Sequence, residues 1–133
     1  YSSAASDVYK RQDYYFMTEM FSVDVQEKEG GVVILRTHGY LNNLLGKEII
    51  SICEEKIAEG RTHFLIDFKD TQLVNSLGVS ILLEVIQKLQ MVEGALGSFN
   101  LSPMVNKTFI IMGLDQYSNV FTDESEAVKA YLN

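Results

Sequence analysis

The chain has 133 residues and a formal net charge of -7, with 47% hydrophobic and 22% charged residues. That length favours one domain around one core, and the composition is that of a folded globular protein. The acidic balance argues against nucleic acid or anionic lipid as a partner, since both select clustered Lys and Arg, and no apolar run approaches the roughly 20 residues that cross a bilayer.

Residues 2–12, SSAASDVYKRQ, resemble the in-frame translation of a transposase-type adapter used to prepare DNA for sequencing, most closely at DVYKRQ. A genuine polar tail is the alternative reading. Residues 1–12 are therefore set aside as a non-native tail, and 13–133 are expected to form the domain. Without Asp7, Lys10 and Arg11 the remainder is one unit more acidic. Its start is expected within DYYFMTEMFSV, with Met17 or Met20 as initiators. No basic stretch followed by an apolar one opens the chain, so a secretory leader is not expected.

FSVDVQE (21–27) alternates, with Phe21, Val23 and Val25 on one face and Ser22, Asp24 and Gln26 on the other. That pattern predicts a strand with one wet face. KEGG (28–31) supplies a turn, and VVILRTHG (32–39) predicts a second, more buried strand, so the pair forms an antiparallel hairpin. Residues 42–60 read as a helix carrying Leu45, Ile49, Ile52 and Ile57 inward, with Glu54, Glu55 and Glu59 toward solvent and Gly60 as its stop. Cys53 lies beside that apolar stripe and reads as a buried, inert thiol.

RTHFLIDF (61–68) predicts a strand covered on both faces, and 69–75 a connector with a brief apolar step at Leu73-Val74. A helix over about 77–92 places Val79, Leu82, Leu83, Ile86 and Leu89 on its core face and Glu84, Gln87 and Lys88 opposite. EGALG (93–97) reads as a break and SFNL (98–101) as a short strand. In 102–114, Ser102 caps a helix, Pro103 fits its first turn and Gly113 ends it, with Leu114 folding back on the last turn. Residues 117–121 predict a last strand and 122–133 a last helix, with Asp123 and Glu126 spaced as a capping box. The order β-β-α-β-α-β-α-β-α predicts an α/β domain with a mainly parallel sheet, an antiparallel first strand and helices packed on the sheet.

The chemistry-bearing residues are sparse. One cysteine forms no internal disulfide, which fits a reducing cytoplasm. His38 and His63, each in a predicted strand, do not make a metal-binding spacing, so neither metal nor cofactor is expected. Asn75-Ser76 stand at the head of the second helix, and Ser76 admits three readings. As a cap, its side-chain oxygen accepts a first-turn N–H. As a nucleophile it lacks the G-x-S-x-G elbow, because Val74 stands where the first glycine is required, and no base is evident. As a switch, a phosphoryl group there adds roughly -1.5 to -2 charges where the helix dipole tolerates them, changing an exposed corner without unfolding the domain.

RTHGYLNN (36–43), FLIDF followed by LVNSLGVSILLEV, NLSPMVNKTFIIMGL and VFTDESEAVKAY occur in that order, and together they resemble the STAS (sulfate transporter and anti-sigma factor antagonist) domain family over about 21–132. The resemblance implies a cytoplasmic, non-enzymatic bacterial module that binds an anti-sigma factor of the serine-kinase type. It also implies phosphorylation at Ser76 and partner binding through Asn42, Asn75, Ser76, Leu77 and Gly78. Three positions depart from the family pattern: Asn42 and Asn75 replace Asp, and Leu77 replaces Ser or Ala. Asn keeps the hydrogen-bonding shape of Asp without its charge. Asp67 remains acidic at its strand end, placed to order the loop. The alternative is a constitutive STAS subunit of a transporter ATPase or stress-signalling complex, with no phosphoswitch.

Overall fold

A computed structural model describes residues 21–132. The adapter-like tail, the candidate initiators Met17 and Met20, and Asn133 lie outside the described residues. Five strands, β1 (Phe21–Glu27), β2 (Val32–Gly39), β3 (His63–Asp70), β4 (Ala95–Phe99) and β5 (Asn119–Phe121), form one sheet in chain order. β1 runs antiparallel to β2, and every later pair is parallel. The connecting helices are α1 (Asn43–Ala58), α2 (Ser76–Gln90) and α3 (Pro103–Ile111), and α4 (Glu124–Tyr131) closes the chain. This is the element order and strand sense expected from the alternation of periodicities.

Strand pleating sends alternate side chains to opposite faces, so a strand buried on both sides must be apolar throughout. Val32–Leu35 and Phe64–Phe68 meet that demand except at Asp67. Val33, Leu35, Phe64 and Ile66 pack with Leu45, Ile49, Leu82, Val85, Val105 and Phe109 from α1, α2 and α3. Val32, Ile34, Leu65 and Phe99 face the other way and meet Ala127 of α4. On β1 only Phe21 and Val23 join the larger core, and Val25 is exposed.

Several boundaries differ from the expectations. α2 begins at Ser76 and ends at Gln90, with Asn75 outside it in extended conformation. β3 starts two residues late, at His63, and continues to Asp70. The largest difference is β4, which begins at Ala95 rather than residue 98 and ends at Phe99, because Asn100 adopts a left-handed φ of 60° that turns the chain out of the sheet. The third helix ends at Ile111; Gly113 follows with φ 76°, its N–H donating to the Ile110 carbonyl, and Leu114 is buried against the core.

Candidate functional site

In a parallel sheet with crossover helices, the loops at the carboxyl ends of the strands gather at one end, where ligands and partners of α/β folds meet the chain. Here the loop after β2 and the loop after β3 are joined. The Leu41 N–H donates to the Leu73 carbonyl (2.9 Å), and the Asn75 N–H donates to the Leu41 carbonyl (3.0 Å). Leu41 and Val74 thus form a bridge that prolongs the β2–β3 pairing. Below it, the buried hydroxyls of Thr37 and Thr71 share a hydrogen bond (2.8 Å), pinning the β3 loop to β2.

Each loop then starts a helix with an asparagine. Asn42 Oδ1 accepts from the N–H groups of Leu44 (3.0 Å) and Leu45 (3.1 Å) at the head of α1. Asn75 Oδ1 accepts from the Gly78 N–H (2.9 Å) at the head of α2. The cap of α2 is therefore Asn75, not Ser76. Ser76 sits one residue inside, because the extended backbone of Asn75 already carries its side chain over the first turn. As caps, Asn and Asp are equivalent, so the departures at 42 and 75 keep the geometry and remove only charge.

Ser76 is exposed at the first position of α2, and its carbonyl accepts from the Ser80 hydroxyl (2.8 Å). Leu77, 58% exposed, and Leu73, 53% exposed, flank the Asn75-Ser76 pair. Beside them a shallow depression of about 230 Å³ is lined by Gly39, Tyr40, Asp70, Gln72 and Leu73. Gly78 is buried; a Cβ there would lie 2.4 Å from the Leu41 carbonyl oxygen, so only glycine lets the two loops approach this closely. The structure thus brings Asn42, Asn75, Ser76, Leu77 and Gly78 together, with Gly78 inside the corner rather than on its surface.

Asp67 orders the neighbouring strand end. Its carboxylate accepts from Arg36 Nη1 (2.9 Å), the Lys69 N–H (2.9 Å) and Asn100 Nδ2 (3.1 Å). Arg36 also donates to Glu124 (2.9 Å), which ties α4 to the sheet. The Arg36 hydrogen bond holds the Glu124 carboxyl below its ordinary range, against partial burial that pushes it up. Sequence reading missed Arg36, Glu124 and the Thr37–Thr71 pair. The available signal was Arg36 itself, a lone charge in an apolar strand that needs a partner.

Neither histidine is turned to Ser76. His38 bridges Asp24 (3.1 Å) and Asp70 (3.2 Å), and His63 packs edge-on against Tyr131 and bonds Thr62. Burial pushes the Cys53 thiol up to about 12, away from thiolate chemistry. Among the described residues no group of three His, Cys, Asp or Glu side chains is placed to hold a metal. A larger open cleft, about 610 Å³, adjoins the corner between Phe68, Lys69, Asn100, Ser102 and Thr122. The arrangement as a whole offers an exposed hydroxyl between two neutral asparagine caps and two exposed leucines, with Asp70 on the adjoining depression: a surface suited to binding.

The family model of the STAS domain matches residues 23–127. The chain belongs to the STAS domain family. No curated protein sequence matches it. Among solved structures, this STAS domain is similar to an anti-sigma factor antagonist from Mycobacterium paratuberculosis, at 18% identity and a TM-score of 0.75, over 85% of this chain and 95% of that one. It is also similar to the phosphorylated form of the Bacillus cell fate determinant SpoIIAA, at 24% identity and a TM-score of 0.65, over 82% and 98% of the two chains. The anti-sigma factor antagonist SpoIIAA in its unphosphorylated form aligns at 20% identity and a TM-score of 0.66, over 82% and 96%. At these identities the likeness is one of fold. No helix among the described residues is long and apolar enough to cross a membrane.

Proposed function

We propose that this STAS domain is a non-enzymatic, cytoplasmic anti-sigma factor antagonist whose partner, an anti-sigma factor of the serine-kinase type, docks on the Ser76 corner and is released when Ser76 is phosphorylated. The observation that carries this reading is the placement of Ser76: exposed, first in α2, and framed by two asparagine caps and two exposed leucines. The similarity in fold to an antagonist that exists in phosphorylated and unphosphorylated forms supports it. Asn75 occupies the Gly78 N–H, while the N–H groups of Ser76 and Leu77 precede the first helical hydrogen bond, so a phosphate has donors and the positive dipole end beside it. The fold then tolerates the added charge, and a partner seated on Leu73 and Leu77 does not. Ser76 and Leu77 are assigned direct contact; Asn42, Asn75 and Gly78 hold the frame.

The neutral pair Asn42 and Asn75, with the apolar Leu77, favours a second reading: a constitutive subunit of a transporter ATPase or stress-signalling complex that binds through this corner without a switch. Pull-downs with a candidate anti-sigma kinase, with and without ATP, separate the two. Wild type is expected to bind without ATP and to release with it. Ser76→Asp is expected to fold normally and bind at least tenfold more weakly, and Ser76→Ala to bind and resist release. Equal binding by all three, with no phosphate on Ser76, rejects the switch and leaves the constitutive reading.

A further inference from the structure

The depression beside the Ser76 corner is lined by Gly39, Tyr40, Asp70, Gln72 and Leu73, and Asp70 is the one charged residue among them. Its volume of about 230 Å³ lies below the range of about 300 Å³ and upward typical of small-molecule pockets, so it suits a single inserted side chain. The Asp70 side chain is 55% exposed, and His38 Nδ1 lies 3.2 Å from its Oδ2, the only oxygen of Asp70 that a described cationic side chain approaches. Across the same imidazole, Asp24 Oδ2 lies 3.1 Å from His38 Nε2, which adds a second carboxylate to the field. Lys69, the neighbouring cation in the chain, lines the larger cleft instead. Tyr40 and Leu73, both exposed, give the depression an aromatic and an aliphatic wall.

From this we infer that the depression receives an arginine side chain of the docked partner. The inference rests on the docking role proposed for the corner and names the chemistry of the partner's anchor. Charge selects a cation. The chain carries -7 overall and places Asp70 and Asp24 at this spot, so a basic surface is drawn in and an acidic one repelled. The walls then select arginine over lysine. A guanidinium is planar and weakly hydrated, stacks on aromatic rings and donates in a fork, whereas an ammonium is a compact ion that holds its water. Here the fork finds the Asp70 carboxylate and the Gln72 amide oxygen as acceptors, with Tyr40 as its aromatic neighbour. The methylene stem covers Leu73, an apolar surface that the charged head alone would not stabilise. An arginine seated among apolar contacts is a common form of interface hot spot. Ser76 does not line the depression, so the anchor and the switch are separable by mutation.

Amide NMR titration of the full chain tests this without any kinase. The probes are the tripeptides Leu-Arg-Leu, Leu-Lys-Leu and Leu-Gln-Leu, acetylated and amidated so that the first two carry the same single charge. Leu-Arg-Leu is expected to shift the signals of Gly39, Tyr40, Asp70 and Leu73 saturably, and to bind at least threefold more tightly than Leu-Lys-Leu and tenfold more tightly than Leu-Gln-Leu. Asp70→Asn, which keeps the shape of the side chain, is expected to weaken that binding at least tenfold. Glu84→Gln, at an exposed acid of α2 outside the depression, is expected to bind as wild type does, and the remaining signals report the fold. No saturable shift at those four positions, or equal binding by wild type and Asp70→Asn, overturns the inference, and equal affinity for the arginine and lysine peptides overturns the choice of arginine. In the kinase pull-down, Asp70→Asn is expected to bind at least fivefold more weakly and still to release with ATP. Full binding by that variant overturns the anchor and leaves the switch standing, whereas no binding by wild type rejects the proposed partner and leaves the peptide titration to decide the depression.

Discussion

Glycine is read in a sequence as a chain breaker, and at Gly78, Gly94 and Gly97 its use is different: each is a place where two parts of the chain touch. A Cβ on Gly94 would lie 2.1 Å from the Thr62 carbonyl oxygen, and one on Gly97 would meet the Tyr131 hydroxyl at 2.7 Å and Leu65 at 2.9 Å. Nothing local distinguishes these glycines from turn glycines such as Gly113, so EGALG reads as a break although its last three residues begin β4. Gly78→Ala should be the sharpest single test of the corner. The obstructing atom is a backbone carbonyl that also accepts the Asn75 N–H, so it cannot swing aside. Overpacking of this type costs about 1–3 kcal/mol or more, and urea denaturation should show at least the lower figure. A loss below about 0.5 kcal/mol, the range of neutral surface changes, would mean the two loops separate easily and the frame around Ser76 is soft.

At the level of elements, the helices were the most readable parts, because their apolar residues recur at a period that only a helix puts on one face. In α2 the sequence pattern places Val79, Leu82, Ile86 and Leu89 inward, and all four are buried. It also counts Leu83, which is only half-buried at the edge of the face, and overlooks Val85, whose position beside Leu82 and Ile86 on the wheel was equally available. The strands were readable where both faces are covered, as in 32–35 and 64–68, and least so at β5, where three residues carry no periodicity. The corner itself was half legible. Two asparagines before two helices suggest caps, but the Thr37–Thr71 link and the Leu41–Val74 bridge join residues more than thirty positions apart, which no local pattern encodes. Leu82→Ala should cost about 2–5 kcal/mol as a fully buried truncation. Gln87→Ala, five positions further on and on the exposed side, should change stability by no more than about 0.5 kcal/mol. Equal losses in thermal or urea melts would reject this helical phase.

For the molecule as a whole, the loops at the carboxyl ends of the strands form the Ser76 corner, and the helices divide between the two faces of the sheet, α1, α2 and α3 on one and α4 on the other. α4 covers the second face of the sheet and is held there by Ala127 in the smaller core and by Glu124, which bonds Arg36 (2.9 Å) and pairs with Lys28 (3.4 Å). This ionic clasp makes a pH prediction with a definite sign. Arg36 first, then its charge and Lys28, lower the Glu124 carboxyl below its ordinary value of 4.5, and partial burial opposes them. A carboxyl depressed in the folded state contributes stability that is complete above its unfolded value and is lost as pH falls through the folded one. Glu124→Gln keeps the size of the side chain and removes the titration. Because Glu124 is about a third exposed, solvent screens the clasp, and the variant should lose no more than about 1 kcal/mol at pH 7. That gap should narrow progressively below pH 4.5 and close once the wild-type carboxyl is protonated. Urea denaturation of both proteins at pH 7 and at successive steps below 4.5 measures it, and a gap that stays constant or widens toward acid would show that Glu124 holds α4 by packing rather than by charge.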